Sequence, residues 1–218
     1  MNARTAFPFF ALVCLLNLSC TADYFHTAND VYQTRATVYL KNGTQKNGAL
    51  TIQLENGVEA NPTAISLVAA GSQEVEYLEF ADIDAYVVNG STYLPKYVNL
   101  YTAGINHGLF VKRLSDSASK MQLFELKQRH KSSDTGEERS LYFISVPSHS
   151  ATELIELHSA LLVPSFETKM SAFVADCPAL ATKIKNKGNG YFYNFMTPEF
   201  KKIEVVKRII REYEVCTR

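Results

Sequence analysis

The 218-residue chain has no tryptophan, only four cysteines and seven prolines, and no excess of either charge, with 22 Lys and Arg against 22 Asp and Glu. So little proline and glycine excludes a collagen-like or low-complexity chain, and 46% hydrophobic with 20% charged residues is a globular composition. The one long apolar run, Phe7 to Leu16, is ten residues. A bilayer span needs roughly 20, so a polytopic membrane protein is excluded as well. Paired Cys-x-x-Cys elements, His-Glu-x-x-His and the Gly-x-Ser-x-Gly elbow are all absent, which leaves no motif for metal ligation or nucleophilic catalysis. No catalytic residue, metal or cofactor is expected. The length allows a core that holds without staples.

What is present begins with export. Arg4 precedes the apolar run, and small polar residues follow it, which is the layout of a secretory signal peptide over residues 1–22. Two processing outcomes are open. Cys20-Thr21-Ala22 suits a signal peptidase and a mature start at Asp23, whereas Leu18-Ser19-Cys20 resembles a bacterial lipobox in which Cys20 carries lipid. The lipobox departs from its usual pattern at Asn17, where an aliphatic residue is common. Once the leader takes Cys14, Cys177 and Cys216 are the candidate disulfide, and an oxidising compartment lets them pair. The bridge would close a loop of about 40 residues, worth on the order of 4 kcal/mol by chain entropy.

From Thr34 to Val146 the hydrophobic pattern has period two, as in Ala36, Val38 and Leu40 and in Leu50, Ile52 and Leu54. Further strands are expected over Val75 to Phe80, Leu109 to Leu114, Met121 to Lys127 and Leu141 to Val146. The phase switches between Val75, Tyr77 and Leu78, Phe80, which predicts a bulge or bend. Asn-Gly pairs at Asn42, Asn47, Asn56 and Asn89 signal hairpin turns, the cleanest at Asn89-Gly90. Lys131 to Arg139 reads as an exposed hairpin tip. After Pro147 the period becomes helical. Ser165 can cap a helix with Phe166, Met170 and Phe173 inward; Pro178 can open a second with Leu180 and Ile184 inward, stopped by Gly188. Thr197-Pro198-Glu199 starts the third, with Ile203, Val206, Ile210 and Tyr213 on one face and Cys216 turned to the core. The fold class is therefore α+β: an antiparallel β-rich domain over residues 23–146, as a meander, sandwich or open barrel, followed by a small helical region over 147–218.

Charge divides unevenly, with a net of −5 over residues 23–166 and +4 over residues 167–218. A basic helical end docked on an acidic β layer accounts for this, and no aromatic-and-basic nucleic-acid module accompanies it. His26, His107, His130, His149 and His158 stand at no ligand spacing and read as surface or loop residues. Asp82 and Asp84 could share a cation on one side of a strand, but a single pair supplies too few oxygens, and they read as turn residues. Ser148-His149-Ser150 places a hydroxyl beside a base only in sequence, and Gly188-x-Gly190 lacks the third glycine of a dinucleotide turn.

Val38-Tyr39-Leu40-Lys41-Asn42-Gly43 with Gly48-Ala49-Leu50, the Ile83 to Tyr93 strand pair, and Asp176-Cys177-Pro178 with Glu204 to Cys216 form a recognisable set. The chain resembles a loosely defined group of uncharacterised exported proteins of Gram-negative bacteria, with a β-rich N-terminal region and a two-cysteine helical end. The resemblance implies an envelope location and favours Cys20 as a lipid anchor; it implies no activity. The expected function is that of a non-enzymatic envelope or secreted protein binding a cell-wall component or another envelope protein through its sheet or loops. It would use no nucleic acid, and would meet membrane only through a lipid on Cys20. The alternatives are an envelope-associated hydrolase, in which His107, His130 or His149 would meet a carboxylate, and a small-ligand carrier with an apolar barrel cavity.

Overall fold

The alternation that begins at Thr34 forms a strand with Ala36 and Val38 buried on one side and Arg35, Thr37 and Tyr39 on the other. The computed structural model describes residues 31–54, 62–98, 107–129, 138–146, 154–159 and 162–216. Ten strands form one sheet: β1 Thr34–Leu40, β2 Gln45–Leu54, β3 Pro62–Ala69, β4 Val75–Leu78, β5 Ile83–Val88, β6 Ser91–Val98, β7 His107–Arg113, β8 Gln122–Arg129, β9 Glu138–Ser145 and β10 Ile155–Glu156. Three helices follow, α1 Phe166–Phe173, α2 Pro178–Lys185 and α3 Glu199–Cys216. The protein is thus α+β, an antiparallel sheet with a helical C-terminal region. The leader and Cys20, His26, Asn56, His130 and the Ser148-His149-Ser150 triplet lie outside the described residues, as does the hairpin tip apart from Glu138 and Arg139, which open β9.

Strand order is β10-β9-β8-β7-β6-β5-β1-β2-β3-β4, so the chain leaves β4 at one edge and re-enters beside β1. The registers show what this requires. Leu78 pairs with Ile65 and Ile65 with Ile52, two residues beyond Leu50, which faces Thr34; Leu78 is therefore level with position 32, whereas Ile83 is level with Leu40. On a flat sheet the two would be about 32 Å apart, from four strand spacings of roughly 4.8 Å and eight residues of roughly 3.3 Å. The chain between them reaches at most about 18 Å. The sheet must coil, bringing β4 round towards β5 as an open barrel.

Its interior is the cluster of Val38, Leu50, Ile52, Ile65, Leu67, Ile83 and Tyr86, with Phe110 entering from β7. Each such side chain, fully buried, contributes about 1.5–3 kcal/mol. The connection itself is the predicted bend: β4 stops at Leu78, and a 3-10 turn over Phe80–Asp82 sets Phe80 edge-on to Phe110, ring centroids 4.9 Å apart, and to Tyr97 at 5.9 Å. The Lys41 amide donates to the Asp82 carbonyl at 2.9 Å and ties this turn to the first hairpin.

Two of the Asn-Gly signals make the expected turns. Asn89 and Gly90 have φ of 50° and 73°, as a two-residue type I′ hairpin requires. At the first hairpin only Gly43 is left-handed, with φ 83°; its amide donates to Leu40 O and the Leu40 amide to Thr44 O, a type I turn closed by a glycine bulge. Asn47-Gly48 is no turn. It lies inside β2, and a Cβ on Gly48 would stand 2.3 Å from the Val68 carbonyl oxygen of β3. Glycine here permits the close backbone approach of a sharply coiled strand.

Beyond β7 the sheet opens. One face of β8 and β9 packs Leu123, Ile144 and Val146 against Phe166, Met170, Leu180, Ile184, Val206 and Ile209 of the helices. Contrary to a purely helical end, residues past Pro147 also add β10, which pairs Ile155 with Ile144. Helix α2 ends in a Schellman motif: Gly188 N–H reaches Lys183 O and Lys187 N–H reaches Ile184 O, both at 2.9 Å. The left-handed residue is Lys187, φ 53°, one before the glycine expected to stop the helix. Ser165 precedes α1 as expected but makes no side-chain cap; its carbonyl accepts from the Lys169 amide.

Cys177 and Cys216 form a disulfide with Cα atoms 5.9 Å apart. Cys177 is buried, whereas Cys216, as the last residue of α3, is exposed rather than turned to the core. Beside the bridge the Tyr213 hydroxyl donates to Asp176 Oδ1 at 2.7 Å. Burial first and Asp176 second push the Tyr213 hydroxyl up to about 12, and this hydrogen bond holds Asp176 below the ordinary carboxyl value.

If Gly48 serves the coil, Gly48→Ala must displace β3 and lower stability by about 3 kcal/mol in urea unfolding. Gly71→Ala, a change at a turn glycine with open space around it but φ of 81°, is expected to cost nearer 1 kcal/mol.

Candidate functional site

Among the described residues, two places combine polar groups with access. The first is an open groove of about 850 Å³ over β1, β2, β3 and β5, lined by outward residues such as Arg35, Thr37, Asn47, Ala49 and Val87 together with Ala36, Gly48 and Ala69, which stand in register with the core side. Its floor is made of small residues, Gly48, Ala49 and Ala69, and its rim carries Arg35, Thr37, Asn47 and Asn89. The Thr37 hydroxyl donates to Asn47 Oδ1 at 2.7 Å, which leaves the Asn47 amide N–H groups to face outward. No carboxylate among the described residues pairs with Arg35, the one charged residue of the lining. The groove is therefore a donor-rich surface of one positive charge.

The second is at the start of α3. Lys202 occupies the helix face that also buries Val205, Val206 and Ile209, and it is only 1% exposed. A buried ammonium must find acceptors. Lys202 Nζ lies 2.6 Å from His158 Nε2 and 3.3 Å from the Phe195 carbonyl oxygen, and 5.7 Å from the Tyr193 ring centroid. Since the ammonium can only donate, His158 Nε2 accepts and the ring proton belongs on Nδ1, which faces Glu199 Oε1 at 3.7 Å. Burial lowers the affinity of Lys202 for its proton, and Glu199 opposes that in part. Tyr193 is fixed behind it: its hydroxyl donates to Leu157 O at 3.0 Å, its ring is 4.1 Å from Phe166, and burial pushes its hydroxyl far above the ordinary tyrosine value. On β9, Tyr142 donates to Glu125 at 3.2 Å; burial, with Glu125 and Glu199, holds it above the usual value.

The arrangement is an imidazole with one nitrogen occupied by a lysine and the other aimed at a carboxylate beyond hydrogen-bond length. It can hold a charge inside the protein, but it offers no unengaged base to a substrate hydroxyl. Among the described residues no group of three or more His, Cys, Asp or Glu gathers to hold a metal. Asp82 ends the 3-10 turn and Asp84 is exposed on β5. His107 is the first residue of β7. Gly188 and Gly190 serve the end of α2 and a turn of φ 79°. His158 does lie in a turn, as expected of a loop histidine, yet nothing in the sequence reading pairs it with Lys202. The signal is there: a lysine three and four residues before Val205 and Val206 and seven before Ile209 stands where an apolar residue belongs.

No helix among the described residues is long and apolar enough to cross a membrane. Comparison with family models, curated proteins and solved structures finds no match to the chain.

Replacing Lys202 by Met keeps the volume and removes the buried ammonium, so Lys202→Met should be as stable as the parent or up to about 2 kcal/mol more stable at neutral pH. Because the folded state binds the Lys202 proton more weakly than the unfolded chain, the parent gains stability as pH rises from the lowered value towards the ordinary lysine value of about 10.4, and the variant's advantage should shrink over that window. Urea unfolding of both at pH 7 and 9 measures it. Lys202→Ala, which leaves a cavity, should instead cost about 2–4 kcal/mol.

Proposed function

We propose that the protein is an exported, non-enzymatic component of the bacterial cell envelope that binds a cell-wall component through the outer face of its barrel. The groove over β5, β1, β2 and β3 carries this reading. It is partly open, bordered by small residues and by a guanidinium and amides, which suits an anionic glycan or peptide strand more than a compact apolar ligand. The carrier reading needs an empty barrel, but Tyr86, Phe110, Leu50 and Ile83 occupy the interior. The hydrolase reading needs an available base; among the described side chains the histidine that meets a carboxylate is His158, whose Nε2 is engaged by Lys202, while His130 and His149 lie outside the described residues.

Export is supported by the leader-like residues 1–22 and by the Cys177–Cys216 bridge, which an oxidising compartment maintains. A lipid on Cys20 would hold the groove beside the wall.

Purified protein should co-sediment with isolated peptidoglycan sacculi, and Arg35→Glu should weaken the binding about tenfold or more by turning attraction for wall carboxylates into repulsion. Sacculi that leave the parent in the supernatant, or an Arg35→Glu variant that binds equally well, would sink the reading. The export half has its own test. Protein from the native host should show a mass that starts at Cys20 with added lipid or at Asp23, and thiols that alkylate only after reduction; an intact leader with free thiols would remove it.

A further inference from the structure

We propose that the outward face of α3, with the turn before it, docks on an anionic lipid surface. This is a different surface from the groove, and a second membrane contact beyond any lipid on Cys20.

Seven exposed residues of α3 form one stripe, while Glu199 and Cys216, also exposed, lie outside it. Phe200, Lys201, Glu204, Lys207, Arg208, Arg211 and Val215 are all exposed, and at 100° per residue they span about 120° of the helix, opposite the buried Lys202, Val205, Val206 and Ile209. Four cations stand on the stripe against one carboxylate, Glu204. Its two ends are apolar: Phe200 is 60% exposed and Val215 77%. Just before the helix, Phe195 and Met196 are 52% and 90% exposed.

Those two residues are presented, not merely left out. Met196 N–H donates to Asn194 Oδ1 at 3.0 Å, Thr197 Oγ1 donates to the same oxygen at 3.2 Å, and the Asn194 amide donates to Thr197 Oγ1 at 3.1 Å. Thr197 N–H closes the turn on Asn194 O at 3.1 Å. Lys202 fixes it from inside through Phe195 O. The turn these bonds define carries two large apolar side chains outward, and a fluid acyl–headgroup boundary accepts such tips without a matching pocket.

The charge selects the kind of surface. A helix of about 27 Å lying flat presents a basic centre between two apolar ends, and each Lys or Arg held near anionic headgroups contributes on the order of 1 kcal/mol. The long stems of Lys207 and Arg211 can lie along the lipid while their heads stay at the phosphates.

The absence of tryptophan gives a clean reporter. Met196→Trp in the full chain, mixed with vesicles containing phosphatidylglycerol, should show a blue-shifted emission and quenching by lipids brominated on the acyl chain, whatever the N-terminus contributes to binding. Tyr77→Trp, exposed on β4, should show neither. Reversing Lys207 and Arg211 to Glu in the reporter chain should weaken the lipid-dependent quenching about tenfold or more. Phe195→Trp serves as a second reporter should Met196→Trp disturb the turn. If the indoles of both reporter variants stay unquenched and unshifted in vesicle suspensions, the proposal is overturned, whether or not the protein floats with the lipid. Equal quenching in pure phosphatidylcholine overturns it as well. A blue shift that grows with protein concentration without vesicles overturns it in favour of a second copy of the chain on this face.

Discussion

The short passage from Leu78 to Ile83 is the constraint on which the β half depends. Strand β5 pairs with β1, on the far side from β4, and the registers set the two ends of the passage eight residues apart along the strands. A chain too short for that distance leaves coiling as the only solution. Coiling turns one set of alternating side chains into a buried interior, and it crowds backbones at Gly48 until no Cβ fits. Over the same strands small residues, Gly48, Ala49 and Ala69, border the open groove.

The helical end depends on a second set of fixed points. At its C-terminal end α3 is held by the Cys177–Cys216 bridge, by Tyr213 on Asp176, and by the hydrogen bond of Ser119, in the loop before β8, to Glu214. Further back along the helix, Glu212 takes both Lys183 and the Tyr191 hydroxyl. At its start Lys202 is pinned to His158 and Phe195 O. A helix fixed at both ends cannot roll, so the residues that face outward are a consequence of those that are tied. The basic stripe is as well determined as the core beneath it.

Much of this is legible in the residues. Period-two alternation locates most strands, Asn89-Gly90 specifies its own turn through two positive φ angles, and the spacing of Val206, Ile210 and Tyr213 with two cysteines marks α3 and its bridge. The failures are equally physical. Asn47-Gly48 carries the same local signal as a turn, because a glycine needed for close backbone approach cannot be told from one needed for positive φ without the neighbouring strand. β3 escapes a reading by pattern because Pro62, Ala64 and Ser66 weaken its alternation, and its strand state is imposed by pairing on both sides with β2 and β4. Neither the coil nor the groove is local, since both follow from a register between residues more than 40 apart. Periodicity centres the inward face of α3 near Ile203, which is only half-buried, because a lysine at position 202 is assigned to solvent by its type.

That lysine invites the question of why an apolar residue does not stand there. Methionine would fill the space, but it would hold neither the His158 ring nor the Phe195 carbonyl. The ammonium has a limited set of acceptors within reach, so the helix has one rotation and the preceding turn one position in which the buried charge is satisfied; any other leaves it without partners at a cost of several kcal/mol. A polar group of this kind contributes less to the depth of the folded state than to its uniqueness. The place where uniqueness is required is the start of α3, where the Asn194–Thr197 turn carries Phe195 and Met196 outward. A buried charge that orients an exposed surface is more readily understood if that surface has something to meet.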